Sequence, residues 1–167
     1  MMIAHIRATF PYHVETVWRL VTSNEQCAWR RDLSRIEVLD GGRRFIEYTK
    51  SGYATVFTIT VFEPLRRYAF ELENGNMKGR WRGVFSYADH QTTLDLIEEV
   101  TVKKALMRPF AGIYLKRQQA RYIADLRREL GGGQPEACSA DDAHGRAAIL
   151  RRGARNGGKG FDTKTRR

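Results

Sequence analysis

The most informative stretch of this sequence is YAFELENGNMKGRWRGVFSY, residues 68–87. Apolar and polar residues alternate over residues 68–73 and again over 77–87, a pattern typical of strands with one buried face. Asn74, Gly75 and Asn76 lie between the two runs, and such residues tolerate the backbone angles of tight turns. The stretch therefore predicts an antiparallel hairpin with its aromatic side chains on one face.

The segments around this hairpin extend it into a sheet. Alternating or apolar runs bounded by turn residues predict five more strands, at residues 3–10, 36–39, 44–50, 53–62 and 92–102. The six strands after Leu33 follow one another through short connections. They are therefore predicted to form a strongly twisted antiparallel meander.

Helical spacing of apolar residues occurs at the two ends of this region. Residues 13–21 read as a short helix, and the polar residues 22–24 offer an N-cap for a second short helix that carries Cys27 and Trp29. Residues 105–130 predict a long C-terminal helix whose apolar face holds Leu106, Phe110, Ile113, Ala120, Ile123 and Leu130. The predicted fold class is α+β: a seven-stranded curved antiparallel sheet that grips the long helix, with two short helices after the first strand.

Length and composition indicate one folded domain followed by a tail. The chain has 167 residues, of which 42% are hydrophobic and 11% aromatic, so residues 1–130 suffice for one core. Residues 131–167 hold eight of the 15 glycines, one aromatic residue and a net charge of +4. We expect this basic, glycine-rich tail to be disordered, because it has too little apolar surface to offset chain entropy.

The sequence also indicates the cellular compartment of the protein. The longest run without a charged residue is 51–62, whereas a membrane-spanning helix needs about 20 apolar residues. The N-terminus lacks the basic and apolar regions of a signal peptide, and Cys27 and Cys138 do not form a disulfide framework. We therefore expect a cytoplasmic protein without a membrane span.

A cavity is the expected consequence of this arrangement. A seven-stranded concave sheet has one face to cover, and one long helix cannot fill it completely. The short helices would roof one end of the space that remains. A fully packed core is the alternative.

The order and spacing of several motifs resemble a known superfamily. These are PYHVETVW at residues 11–18, Trp29, EPLRR at 63–67, GRW at 79–81 and the strand at 93–99. Over residues 1–130 the chain resembles the helix-grip superfamily of START domains, plant pathogenesis-related allergens and bacterial polyketide cyclase-like (SRPBCC) proteins. The resemblance implies a cavity for a hydrophobic ligand, in a superfamily that includes lipid carriers, hormone receptors, cyclases and ribosome-associated proteins.

Strand alternation and the helical pattern predict which side chains reach this cavity. The predicted ligand-binding residues are Tyr48, Tyr53, Phe57, Phe70, Trp81, Phe85, Leu96, Glu98, Phe110, Ile113, Tyr114 and Arg117. Most are apolar or aromatic, as expected for a site that binds a mostly apolar molecule.

Glu98 is the one candidate catalytic residue. It interrupts an otherwise apolar row that includes Leu96 and Val100, and burial there would raise its pKa. Such a carboxyl is suited to act as a general base or to anchor a ligand. The alternatives are a bulge after Ile97 that turns Glu98 to solvent, or an ion pair with Arg117.

The sequence contains no motif typical of a metal site, a catalytic nucleophile or a phosphate-binding loop. The four histidines stand apart from other metal-ligating residues, so no metal site and no cofactor is predicted. Nucleophile elbows and phosphate-binding loops are also missing from the sequence. Cys27 is expected to pack as a small apolar residue.

Three functions remain open at this point. The favoured one is non-catalytic binding of a small hydrophobic molecule, such as a lipid or polyketide. The second is a polyketide cyclase or dehydratase-type enzyme, in which Glu98, Tyr48, Tyr53 or Tyr114 would transfer protons. The third is an RNA- or ribosome-associated regulatory protein, because a net charge of +10 attracts nucleic acid weakly. The sequence indicates no oligomeric state.

Overall fold

The computed structural model describes residues 1–104, 106 and 108–132, and within them the chain forms seven strands and two α-helices. In chain order these are β1 (Met2–Phe10), α1 (Val14–Thr22), β2 (Leu33–Leu39), β3 (Arg44–Thr49), β4 (Ala54–Glu63), β5 (Arg67–Glu73), β6 (Met77–Ala88), β7 (Gln91–Val102) and α2 (Arg108–Gly132). A short 3₁₀ turn, Asp40–Gly42, joins β2 to β3.

The strands form one antiparallel sheet in the order β1-β7-β6-β5-β4-β3-β2. The predicted meander of β2 to β7 is confirmed. The strand β1 forms one edge of the sheet by pairing with β7, with Ala4 opposite Glu98. The strand β2 lies at the other edge and pairs with β3. The α+β class and the long C-terminal helix are confirmed.

The second predicted short helix is wrong. Residues 23–32, here called the 23–32 loop, form bends and turns, such as the one closed by the bond from the Arg30 amide to the Cys27 carbonyl oxygen, 2.9 Å. Contacts with α2 explain why this segment is not helical. The Arg31 amide donates to the buried Asp125 carboxylate at 3.1 Å, and Arg128 donates to the carbonyl oxygen of Trp29 at 2.8 Å.

One end of the concave face is a solid core under α1. The Trp18 ring packs edge-on against Phe85, with ring centres 4.9 Å apart, and also contacts Phe62 and Tyr68. The helix holds this position because Val14, Val17, Trp18 and Leu20 are all buried. The remaining space under the sheet lies beyond this core.

The helix α2 packs against the sheet through buried side chains between residues 115 and 126. Leu115, Gln119, Ile123 and Leu126 are buried. The predicted apolar face is wrong for the first half, because Leu106, Phe110 and Ile113 are 87%, 71% and 59% exposed. Their spacing is helical, but their side chains are exposed to solvent instead of buried against the strands.

Two further expectations concern a membrane span and the start of the C-terminal tail. No helix in the described part of the chain is both long and apolar enough to cross a bilayer. The helix α2 continues through Gly131 and Gly132, two residues past the predicted boundary. The rest of the predicted tail, residues 133–167, lies outside the described residues.

Candidate functional site

A cavity of about 980 Å³ lies between the concave face of the sheet and α2. Sites for small organic molecules usually measure roughly 300–1,000 Å³. The cavity is lined by side chains of β3 to β7, by the 23–32 loop and by α2. The core of this fold is therefore not solid throughout.

Nine of the twelve predicted site residues line this cavity. They are Tyr53, Phe57, Phe70, Trp81, Leu96, Glu98, Phe110, Tyr114 and Arg117. Strand alternation placed the sheet residues among these nine correctly, because one parity of each strand faces inward. Their role in binding a ligand remains a prediction.

Three predicted site residues lie elsewhere. Tyr48 is on the outer face of β3, where its hydroxyl donates to Glu37 at 3.0 Å and its ring lies 3.8 Å from the Arg35 guanidinium carbon. Phe85 belongs to the solid core beneath Trp18. Ile113 is 59% exposed on the side of α2 that does not line the cavity.

An aromatic floor, defined as Phe45, Phe57, Phe70 and Trp81, crosses four neighbouring strands. Phe45 stacks on Phe57 with ring centres 4.8 Å apart, and Phe70 stacks on Trp81 at the same distance. An edge-on contact of 5.1 Å between Phe57 and Phe70 joins the two pairs. Aromatic pairs in these geometries stabilise one another beyond their burial, so the floor is rigid.

A buried ionic cluster, defined as Arg30, Asp32 and Glu47, forms part of the wall. Arg30 donates to Asp32 through Nε at 3.2 Å and through one terminal nitrogen at 2.8 Å. Its other terminal nitrogen donates to Glu47 at 2.6 Å. The side chains of Arg30 and Glu47 are only 14% and 12% exposed, so the pair is shielded from water.

The charges of this cluster depend on one another. Burial opposes the charge of Arg30, but the carboxylates of Glu47 and Asp32 raise its pKa further above the ordinary value. Burial raises the pKa of Glu47 against the attraction of Arg30. Burial also raises the pKa of Asp32, but Arg30 outweighs it and the net shift is downward. Arg30 is thus a permanently charged centre shared by two carboxyl groups.

Two tyrosines lie beside this cluster and also line the cavity. Burial raises the pKa of Tyr68 and of Tyr122 above the usual value, so both hydroxyls stay protonated at neutral pH. The Arg30 guanidinium carbon lies 5.4 Å from the centre of the Tyr122 ring, within the range of a cation–π contact.

Glu98 occupies the cavity wall in β7, between Ala4 of β1 and Trp81 of β6. It is 5% exposed, and burial raises its pKa to about 7, against the opposing effects of a Gln119 hydrogen bond and of the Arg30 charge. The strand pairing is uninterrupted at Ile97 and Glu98, so the alternative of a bulge is wrong. Among the described residues no ion pair joins Glu98 to Arg117, whose side chain is exposed.

A second polar group lies further along the wall. The Tyr53 hydroxyl donates to the Asn74 side-chain oxygen at 3.2 Å, and the Asn74 side-chain nitrogen donates to the Thr55 hydroxyl at 3.0 Å. Asn74 also accepts from the amides of Asn76 and Met77, which fixes the turn between β5 and β6. These groups satisfy one another and hold Tyr53 against the cavity.

Sequence reasoning missed the ionic cluster and Tyr122. Arg30 is not singled out by the sequence, because nothing periodic in the 23–32 loop marks it as buried. Glu47 had a usable signal, because it shares its strand parity with Phe45 and is therefore inward. Within residues 1–104, 106 and 108–132, no group of three metal-ligating side chains is placed to hold an ion.

Comparison with known proteins shows the fold. No protein family model and no curated protein matches the sequence. A conserved protein from Geobacillus kaustophilus has a TM-score of 0.68 at 14% identity, over 78% of this chain and 95% of that chain. A START superfamily protein from Mycobacterium smegmatis has a TM-score of 0.58 at 18% identity, over 78% and 94% of the two chains.

A third solved structure, DynU16 from the dynemicin biosynthetic locus, has a TM-score of 0.65 at 18% identity, over 80% of this chain and 48% of that chain. At such identities the likeness concerns the fold alone. The helix-grip fold of START and SRPBCC proteins, implied by the motifs in the sequence, is thereby confirmed.

Proposed function

We propose that this protein binds one small, mostly apolar molecule in the cavity between the sheet and α2, without transforming it. The observation that carries the proposal is the 980 Å³ cavity with its aromatic floor. Lipids and polyketides are ligand classes of suitable size and polarity. The cytoplasmic location expected from the sequence stays a prediction.

The energetics of such binding are favourable. Each methylene group moved from water into an apolar site gains about 0.8 kcal/mol, so a ten-carbon chain gains roughly 8 kcal/mol. Immobilisation of the ligand reduces this favourable free energy by several kcal/mol. The net gain of roughly 4–6 kcal/mol corresponds to a dissociation constant between about 1 mM and a few tens of micromolar for a simple alkyl ligand.

The arrangement of acids and bases supports binding over catalysis. Asp32 and Glu47 are both engaged by Arg30, which leaves Glu98 without a second free carboxyl group in the described wall. A cyclase or dehydratase-type reaction, with Glu98 as its general base, is the alternative.

Ion pairs within the chain neutralise part of the basic surface on which the RNA-associated alternative depends. Several arginines that made the chain look basic are paired with acids of the same chain. Arg44 pairs with Asp40, Arg67 with Glu63, and Arg80 with Glu71. Arg30 is buried and therefore unable to contact a macromolecule.

A pair of tryptophan substitutions in α2 tests the proposed function. Ala111 lines the cavity, whereas Ala124 is exposed on the same helix. Titration with an environment-sensitive apolar dye is expected to give about one equivalent of saturable binding to the wild type. Ala111→Trp fills part of the cavity and should weaken binding by about tenfold or more, as expected when an apolar group loses its site.

The control is Ala124→Trp, which should bind the dye like the wild type. Absence of saturable binding to the wild type contradicts the proposal. So does an equal loss in both variants, because it would place the dye outside the cavity.

A further inference from the structure

The buried part of the cavity wall has more acidic side chains than basic ones. Among the described residues, its carboxyl groups belong to Asp32, Glu47 and Glu98, and its one buried cation is Arg30. Arg30 already donates three hydrogen bonds to Asp32 and Glu47. It is therefore not free to neutralise a further anion.

Glu98 is the acceptor with the least support from the protein. Its neighbours across the sheet, Ala4 and Trp81, supply no charge, and Gln119 supplies one amide donor. Gln119 also donates to the carbonyl oxygen of Ala4 at 3.2 Å, which holds its amide group at this wall.

A second acceptor lies on the adjacent residue of α2. The side-chain oxygen of Gln118 is buried and accepts no hydrogen bond from the described residues, and Gln118 also lines the cavity. A buried acceptor without a donor costs about 1–3 kcal/mol. A ligand that brings a donor would remove this cost.

The rim of the cavity has the opposite character. Arg117 and Arg121 line it and are exposed. The cavity is thus acidic where it is buried and basic where it opens, and the chain as a whole carries a net charge of +10. Net charge alone would favour an anionic ligand, whereas the buried wall disfavours an anionic group at its inner end.

From these contacts we infer that the inner end of the ligand carries a hydrogen-bond donor and no negative charge, and that this donor pairs with Glu98. A protonated amine and a neutral hydroxyl both meet this description. The inference rests on the proposed function, since it names the polar end of the same ligand.

Three probes with one alkyl chain test it: dodecylamine, dodecanol and dodecanoate, each below its aggregation concentration. Their affinities are measured by displacement of the apolar dye from the wild-type protein. The amine or the alcohol is expected to bind at least about tenfold more tightly than the carboxylate. This is the ratio of dissociation constants that the free energy of one charge-assisted hydrogen bond produces. This order is opposite to the one that the net charge would produce.

Glu98→Gln distinguishes the two kinds of donor. If the donor is an ammonium group, dodecylamine loses about tenfold or more and dodecanoate gains, because the buried charge is gone. If the donor is a hydroxyl, dodecanol binds most tightly in the wild type and changes little in the variant, because the glutamine oxygen still accepts its hydrogen bond, whereas dodecanoate gains because the buried charge is gone. Glu99→Gln is the matched control, because Glu99 is the next residue of β7, has the opposite parity and does not line the cavity.

If Glu98→Gln does not fold, the inference is tested by measuring the binding of dodecylamine and dodecanol to the wild type as a function of pH. The titratable groups near Glu98 are Arg30 of the loop, Glu47 of β3 and Tyr114 of α2. Arg30 and Tyr114 keep their charge states between pH 5.5 and 8, a range chosen to bracket the pKa of about 7. Loss of a proton from Glu47, whose pKa burial also raises, would change dodecylamine binding in the same direction. Dodecylamine should therefore bind more tightly, relative to dodecanol, as pH rises through this range.

The inference is overturned if dodecanoate binds as tightly as the other two probes, or if Glu98→Gln and Glu99→Gln have equal effects on all three. Binding of all three probes without discrimination leaves the proposed function standing and removes the inference alone. No displacement by any probe, together with no saturable dye binding, overturns both.

Discussion

At the scale of single residues, Arg30 and Glu98 of the cavity wall differ in how their burial is compensated. Arg30 is held by two carboxylates at 2.6–3.2 Å, so its burial is matched by ion pairs. Glu98 has an amide neighbour instead, and its pKa rises to about 7. A buried group of this kind makes stability depend on pH.

The free energy of unfolding should fall as pH rises through the titration of Glu98. Its pKa is about 7 in the folded protein and 4.5 in the reference state, so between these values only the folded chain keeps the proton. Deprotonation therefore favours unfolding, by about 3 kcal/mol in total between pH 4.5 and 7.

Urea unfolding of the wild type and of Glu98→Gln over this pH range measures the effect. The difference between the two proteins isolates Glu98, because the shifts of Glu47 and Asp32 are common to both. A difference that stays constant with pH would show that Glu98 titrates as an ordinary glutamate.

At the scale of secondary structure, Asp125 joins the second half of α2 to the 23–32 loop. Asp125 is fully buried and accepts from the Arg31 amide at 3.1 Å, from Arg31 Nε at 2.6 Å and from Arg128 at 3.1 Å. These bonds join the helix to the 23–32 loop, which carries Arg30 into the cavity wall. One carboxylate thus positions both the helix and the ionic cluster.

Asp125→Ala should destabilise the protein by roughly 1–3 kcal/mol, because it leaves the Arg31 amide without its acceptor. Chemical denaturation measures this change. Glu129→Ala, one turn later on the same helix, is the control and should change stability by less than about 0.5 kcal/mol. Similar losses in both variants would mean that Asp125 has no special role in holding α2.

The elements also show what sequence patterns can and cannot predict. Alternation predicted the strands and the inward side of Trp81 and Glu98, because a pleated strand has only two faces. The same parity applied to β3, starting from the buried Phe45, would have placed Glu47 inward and Tyr48 outward. The burial of Arg30 follows from the docking of an aperiodic loop, which no local pattern encodes.

The long helix shows a different limit. Its pattern predicted a helix correctly, but the residues of one apolar stripe are divided between two environments. Ile123 is buried, whereas Phe110 and Ile113 are exposed. Which part of a stripe meets the sheet depends on where the helix crosses it, and that is a property of the tertiary structure.

At the scale of the whole molecule, the concave face is divided into a solid end and a hollow end. The solid end lies under Trp18, and the hollow end lies under the first half of α2. Phe110 and Tyr114 line the cavity and are also more than half exposed, so they stand at its opening. Ligand entry is expected at this side.

Amide hydrogen exchange should therefore be faster in residues 110–116 than in residues 119–128 of the same helix. Segments with few buried contacts open locally at a smaller free-energy cost. Binding of an apolar ligand should slow exchange in the first segment more than in the second. Uniform protection along α2, with and without ligand, would contradict this view of the opening.

The outermost position of β2 has a consequence for self-association. An edge strand presents unpaired backbone groups to which another sheet can add. Here the strand is only seven residues long, its pairing shifts between Leu33 and Arg35, and its Arg35 and Glu37 side chains are about half exposed. Stacking a second copy on this edge would strip water from both charges, so the open sheet resists growth into fibres at the side where it is least covered.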